Sequence, residues 1–204
     1  MKIITFVTGA LHENCYACIY KNEALIIDPG KFTPDVAEFV NDNSEKIKYI
    51  LLTHRHFDHI LGVADIKNRC PKAKIVIHEL DNIGLKSAKE SMAAHFRLSQ
   101  QPVNVDILCR DGDELPFADT KIKVLHTPGH SVGSVCYLLN NTLFSGDTLF
   151  FEDRGRSDFP TGNTEDIKNS LNRLFKLDCN AVVYPGHGQS TTLEHERKHN
   201  SIFK

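Results

Sequence analysis

The stretch Thr53-His54-Arg55-His56-Phe57-Asp58-His59 crowds three imidazoles and a carboxylate into six positions, directly behind the apolar run Tyr49-Ile50-Leu51-Leu52. Imidazoles this close repel one another once protonated, and a divalent cation removes that repulsion by favouring the neutral ring. In extended chain, residues i and i+2 share a side, so His54 and His56 can reach one point. Asp58 and His59 are neighbours and can reach a common point only where the chain bends, as it does when a strand gives way to a helix. The spacing therefore predicts two pairs of ligands aimed at two nearby centres. The fold must end a buried strand on a rim where donors from other segments can join it.

Three further segments supply such donors. His130 follows the strand-like 121–126 after Thr127-Pro128-Gly129, Asp147 follows 142–146, and His187 follows 181–184 after Pro185-Gly186. In open α/β sheets such strand ends gather along one edge, where sites form. His130 would complete the first centre and His187 the second, and Asp147, with two oxygens, could bridge them. His12, His78, His95, His195 and His199 read as ordinary surface or core histidines, and His126 as a structural strand residue.

Strands are predicted at Lys2–Thr8, Cys15–Tyr20, Ala24–Asp28, Lys48–Leu52, 74–78, 121–128, 134–140, 142–147 and 181–188. A helix follows Thr33 as N-cap with Pro34 in first position, and another runs from about His59 to Asn68. Residues 79–100 are polar and read as helical. A helix from Thr164 carries Ile167, Leu171, Leu174 and Phe175 on one face, a stripe that must lie on a sheet. Thr191 and Glu194 read as a capping box for a last short helix. Strands alternate with helices and no composition break separates them, which predicts one layered α/β domain over residues 1–204.

Hydrophobic residues make up 41% of the 204 positions, enough for a core, and a net charge of −2 without a basic block argues against nucleic acid and anionic membranes as partners. No signal peptide or apolar span of about 20 residues occurs, so the expected location is the cytoplasm. The six cysteines are scattered, and Cys15 and Cys18, though spaced C-x-x-C, lie in a strand that points them to opposite faces. They read as buried small hydrophobes in a reducing compartment.

Taken together, "THRHFDH", "HTPGHSVGS", "SGDTLF" and "YPGHG" resemble the metallo-β-lactamase fold superfamily over nearly the whole chain. "GRSDFPTGN" and "TTLEHERKHN" narrow the likeness to the compact glyoxalase II-like hydrolases. The resemblance implies a four-layer αββα sandwich with two divalent metal ions at one rim, zinc first, with iron or manganese as alternatives. Position by position it implies His54, His56 and His130 for the first ion, Asp58, His59 and His187 for the second, and Asp147 as the bridge. It also implies a basic residue near the thiol part of the substrate at Arg156, which could instead pair with Asp158. Asp28, in the "DPG" turn, reads either as the orienting partner of a ligand or as a plain turn residue. Glyoxalase II enzymes carry a C-terminal helical segment that helps to bind glutathione, and no separate segment of that kind is expected here. Where the family often continues its last helix with Asn-Pro, Asn200 is followed by Ser201.

The expected activity is hydrolysis of a small thioester of the S-lactoylglutathione type. Two ions about 3.5–4 Å apart can share a water and lower its pKa toward neutrality. Asp58 could both ligate and take the attacking water's proton, and a thiolate leaves with little acid assistance. The main alternative is a persulfide dioxygenase with one non-haem iron, since imidazole accepts iron as readily as zinc. "YPGHG" favours the hydrolases, among which a lactonase is a lesser option. A nuclease would want a basic surface, a flavodiiron protein a carboxylate at His56, and a non-catalytic module would have lost ligands.

Overall fold

The computed structural model describes residues 1–203, which form two compact units, Met1–Cys109 and the chain from Arg110 onward. In the first unit, β1 (Lys2–Thr8), β2 (Glu13–Tyr20), β3 (Glu23–Ile27), β4 (Ile47–Leu51), β5 (Lys74–His78) and β6 (Ile107–Cys109) make one sheet in sequential order. β1 to β3 pair antiparallel, and β3 to β6 run parallel. Parallel neighbours need crossover connections. α1 (Pro34–Asn43) supplies the first, and α2 (Phe57–Ile60) with α3 (Val63–Arg69) the second.

α1 starts where its sequence predicts. The Thr33 hydroxyl accepts from the Val36 amide at 3.4 Å, and Pro34 takes the first position, where a missing N–H leaves nothing unpaired. Val36, Phe39 and Val40 of α1 and Val63 and Ile66 of α3 share one core with Ala24, Ile26, Ile50, Ile75 and Ile77. On β3 and β5 these are alternate residues, as one face of a strand requires. The register pairs Ile27 with Leu51, so the carboxyl ends of β3 and β4 lie side by side and bring Asp28 next to Thr53.

In the second unit, β7 (Glu114–Phe117), β8 (Thr120–His126), β9 (Val135–Leu139), β10 (Thr142–Gly146), β13 (Val182–Pro185) and β14 (Thr191–Thr192) form a sheet ordered β14-β13-β10-β9-β8-β7. Only β10 and β13 are parallel within it. The long connection between them holds a small ribbon, β11 (Leu149–Phe150) and β12 (Asp153–Arg154), and α4 (Thr164–Phe175). Asn163 caps α4, its Oδ1 accepting from the Glu165 and Asp166 amides at 2.9 and 3.1 Å. Leu171 and Leu174 of α4 are buried with Leu125, Cys136, Leu143 and Val183. Each such leucine contributes about 2 kcal/mol by leaving water. Gly146 pairs with Pro185, so Asp147 and His187 leave the sheet from neighbouring strand ends.

Three local expectations need correction. The helix expected from about His59 begins at Phe57 and breaks at Leu61-Gly62; the Gly62 amide there donates to the Pro29 carbonyl at 2.8 Å instead of continuing the helix. Residues 79–100 hold two 3₁₀ segments, Glu79–Leu85 and Ala93–Phe96, rather than an α-helix. Met92 and Arg97 adopt φ of 69° and 56°, and such left-handed residues end any regular helix. The last helix, α5 (Leu193–His199), is capped by Thr192 and not by Thr191, whose hydroxyl donates to Glu196 at 2.7 Å. Among the described residues no helix is long and apolar enough to cross a membrane.

Candidate metal centre

In the first unit the ligand loop hangs from Asp28. This residue leaves β3 with φ of 48° and is buried. Its Oδ1 accepts from the Thr53 amide at 2.7 Å, and its Oδ2 from the Thr53 hydroxyl at 2.5 Å and from His59 Nδ1 at 3.0 Å. The Thr53 hydroxyl lies 3.0 Å from His54 Nδ1. Having given its one proton to Asp28, it accepts from His54. Both rings are thereby fixed as the Nδ1–H tautomer and present Nε2 as the ligating nitrogen, the usual arrangement behind a metal-bound histidine. His54 and His59 lie with ring centroids 4.2 Å apart, and His54 meets His56 edge-on at 4.8 Å. All three rings are buried. Donor atoms of Asp28, His54 and His59 converge within 4.8 Å of one another. Asp28 already accepts three hydrogen bonds, so its part is to orient.

The turn after Asp28 is pressed against the start of α2. A Cβ on Gly30 would stand 1.6 Å from the Asp58 carbonyl oxygen, so only glycine allows Asp58 and His59 this position. Beneath the turn, Glu13 is fully buried and accepts from the Thr8 hydroxyl at 2.6 Å. Burial pushes its carboxyl well above the usual range, against a smaller opposing pull from His59.

From the other side the loop is held by residues 79–100. The Arg55 amide donates to Asp81 Oδ2 at 3.1 Å, its Nε lies 3.8 Å from Asp81 Oδ1, and the Phe57 amide donates to the Ser91 carbonyl at 2.9 Å. Arg55 and Asp81 are both buried.

In the second unit His130 Nδ1 lies 2.8 Å from the Arg156 carbonyl, a bond that again leaves Nε2 as the candidate donor. Asp147 Oδ2 stands 3.4 Å from His130 Nε2 and 3.7 Å from His187 Nε2. These spacings exceed the ordinary N–H···O range of about 2.7–3.2 Å. They leave room for a cation between the carboxylate oxygen and each imidazole. A Cβ on Gly155 would come within 1.8 Å of the Asp147 carbonyl oxygen and 3.3 Å of His130 Nδ1, so this glycine lets the chain pass behind both donors. The Arg156 side chain is engaged with Asp158 through two bonds of 2.7 Å and lies 4.1 Å over the Phe159 ring. The bond to Arg156 pulls the Asp158 carboxyl down to about 2.

Each unit brings its own expected donors together: in the first, Asp58 Oδ2 stands 3.6 Å from His59 Nε2, beside His54 and His56, and in the second His130, Asp147 and His187 meet. The borderline-soft, neutral imidazoles and hard carboxylates suit zinc, iron or manganese alike. Other histidines serve locally: His78 Nδ1 accepts from the Leu80 amide at 3.3 Å, His126 Nε2 lies 3.0 Å from the Val132 carbonyl, and His195 meets Glu152 at 3.0 Å. Asp81, Glu13 and Gly155 escaped the sequence reading. A glycine directly before Arg156 was the only available signal among them.

A family model described as the metallo-beta-lactamase superfamily matches residues 8–187. A probable metallo-hydrolase of Streptococcus pyogenes is 30% identical over 100% of this chain and 90% of its own length. A hydroxyacylglutathione hydrolase of Francisella tularensis subsp. novicida is 30% identical over 89% of this chain and 65% of its own length. Among solved structures, the BLEG-1 B3 metallo-beta-lactamase superposes with a TM-score of 0.89 at 29% identity, covering 100% of both chains. TTHA1623 in a di-iron-bound form gives 0.84 at 31%, covering 98% of this chain and 99% of its own. ETHE1 from Myxococcus xanthus gives 0.78 at 27%, covering 98% and 84%. The mixed α/β architecture with two sheets matches the fold of these proteins.

Proposed function

Since the chain belongs to the metallo-β-lactamase superfamily, we propose that it is a dinuclear metal-dependent hydrolase acting on small thioesters of the hydroxyacylglutathione type. The observation that carries this reading is the 30% identity to a hydroxyacylglutathione hydrolase over 89% of the chain. The oriented donor sets of the two units support it. In the proposed centre His54, His56 and His130 would hold one ion and Asp58, His59 and His187 the other, with Asp147 available to both.

The ions, when bound, supply hydroxide at neutral pH and a Lewis acid for the carbonyl oxygen. Asp58 orients the attacking water and takes up its proton. Asp28 keeps Nδ1 of His59 protonated directly, and that of His54 through Thr53, so that both rings offer Nε2. Arg156 faces the thiol portion of the substrate when it exchanges Asp158 for an anionic group. No serine or cysteine nucleophile is needed, and burial holds the Cys15 and Cys18 thiols protonated.

The likeness to ETHE1 supports a second reading, the single-iron persulfide dioxygenase. Elemental mass spectrometry of the purified protein, paired with two assays, separates the two. Two ions per chain with S-lactoylglutathione hydrolysis are expected. One iron per chain with oxygen uptake on glutathione persulfide, and no thioester turnover, would replace the first reading by the second.

A further inference from the structure

A groove of ≈ 400 Å³ opens beside Asp58 and is built wholly from the first unit. Its walls are Ala10, Leu11, Phe32, Phe57, Leu61 and Leu98, with the exposed Lys31 and Asp65 among its polar lining. Leu11 and Leu98 stand 48% and 43% exposed, so apolar side chains are held in water around a hollow that meets a ligand residue. Phe57 is fixed in place by Phe96, ring centroids 4.6 Å apart, and by its amide bond to Ser91. The volume lies in the range of small-molecule sites, about 300–1,000 Å³. A lactoyl group would bring only a methyl and a hydroxyl to it and would leave the walls of Leu11, Phe57, Leu61 and Leu98 uncovered.

We propose that this groove seats the acyl group of the substrate and selects unbranched apolar acyl chains over lactoyl, an inference that rests on the thioester reading above. The carbonyl sits at the Asp58 end and the chain runs along Phe57 and Leu61 toward Leu98. Water adds its oxygen to the carbonyl carbon, the C–S bond breaks, and the products are the free acid and the thiol. Each methylene that enters the groove leaves water, which raises kcat/KM about fourfold.

The test uses the zinc-loaded full chain and a series of glutathione thioesters, acetyl, butyryl, hexanoyl and octanoyl, beside S-lactoylglutathione. Calorimetric binding of octanoate and acetate accompanies it. Leu61→Trp, which fills the groove, and Leu98→Asp, which charges its wall, are compared by the octanoyl-to-acetyl ratio within each protein, so that a general loss of activity cancels. A rising series is expected, with the ratio reduced about tenfold or more in both variants. A flat series, or a steep one that neither variant alters, overturns the groove assignment and leaves thioester hydrolysis standing. Absence of all thioester turnover overturns the thioester reading. In that case octanoate binding tighter than acetate in the native chain, but not in the variants, upholds the groove as an apolar acyl site, and equal binding overturns it too.

Discussion

Asp28 holds His59 by a 3.0 Å contact between Oδ2 and Nδ1, and one and the same oxygen fixes Thr53, on which His54 leans. One carboxylate thus orients a donor of each proposed ion. Asp28→Asn keeps the size but offers an amide in place of one acceptor oxygen, so the Nδ1–H tautomers lose their anchor. Zinc affinity, read by competition with a chromophoric chelator, should fall about 10- to 100-fold. The far-UV spectrum should not change. Unaltered affinity would reduce Asp28 to a turn residue.

Arg55 stands between His54 and His56, two proposed ligands, and is paired with Asp81, their side chains 6% and 0% exposed. Removing one partner of a buried pair leaves an uncompensated charge, at a cost of about 3–5 kcal/mol. Arg55→Met should therefore lower the stability from urea unfolding by that order. Asp81→Asn retains an acceptor for the Arg55 amide, and the double variant should be less unstable than the two losses added. Additive losses would show that the pair is uncoupled and the loop held by other contacts.

How much of this is legible in the sequence depends on whether the signal is local. The candidate donors of both units are readable because H-x-H-x-D-H and the Gly-His turns lie in short stretches of chain. α4 was readable from its apolar stripe. The sequence leaves the role of Asp28 open, because it follows from the register that pairs Ile27 with Leu51, which no local pattern encodes. Residues 79–100 read as helical although they are not, because their polar sequence carries no trace of the bonds that bind them to Arg55 and Phe57. Those bonds, with left-handed Met92 and Arg97, impose short 3₁₀ turns instead.

Gly155 has no Cβ where one would strike the Asp147 carbonyl oxygen at 1.8 Å. Gly155→Ala must therefore displace the segment carrying Asp147 or the backbone that holds His130. The expected outcome is fewer than two ions per chain at micromolar free zinc and a melting temperature lowered by several degrees, the usual size of a strained substitution of about 1–3 kcal/mol. A variant with full metal content would show that the loop yields at no cost to the centre.

All six cysteines are free thiols, five buried and Cys179 half-buried. Burial pushes Cys18 up to about 12 and Cys136 up to about 11. Only thiolates react with Ellman's reagent. At pH 8 the native chain should give at most one fast thiol, and all six after unfolding. In the unfolded chain these thiols ionise near their ordinary 9.0, well below their folded values. Their contribution to stability is complete below about pH 9 and is lost as the pH rises toward 11–12. Denaturation midpoints should decline over that window, and Cys136→Ala should decline less. Rapid native labelling of several thiols at pH 8 would contradict this burial.

Arg156 faces two ways: its carbonyl fixes His130 at 2.8 Å, while its exposed guanidinium is clamped by Asp158. The first function belongs to the backbone and survives replacement of the side chain. Arg156→Ala should therefore keep its metal and its kcat. If the guanidinium receives an anionic thiol portion, the variant should raise KM for a glutathione thioester by about tenfold, the scale of a charge-assisted bond. It should leave KM for the neutral N-acetylcysteamine thioester alone. Asp158→Asn weakens the clamp and should lower KM for the glutathione thioester. Equal KM values for both thioesters in all three proteins would assign the Arg156 side chain wholly to its pair with Asp158.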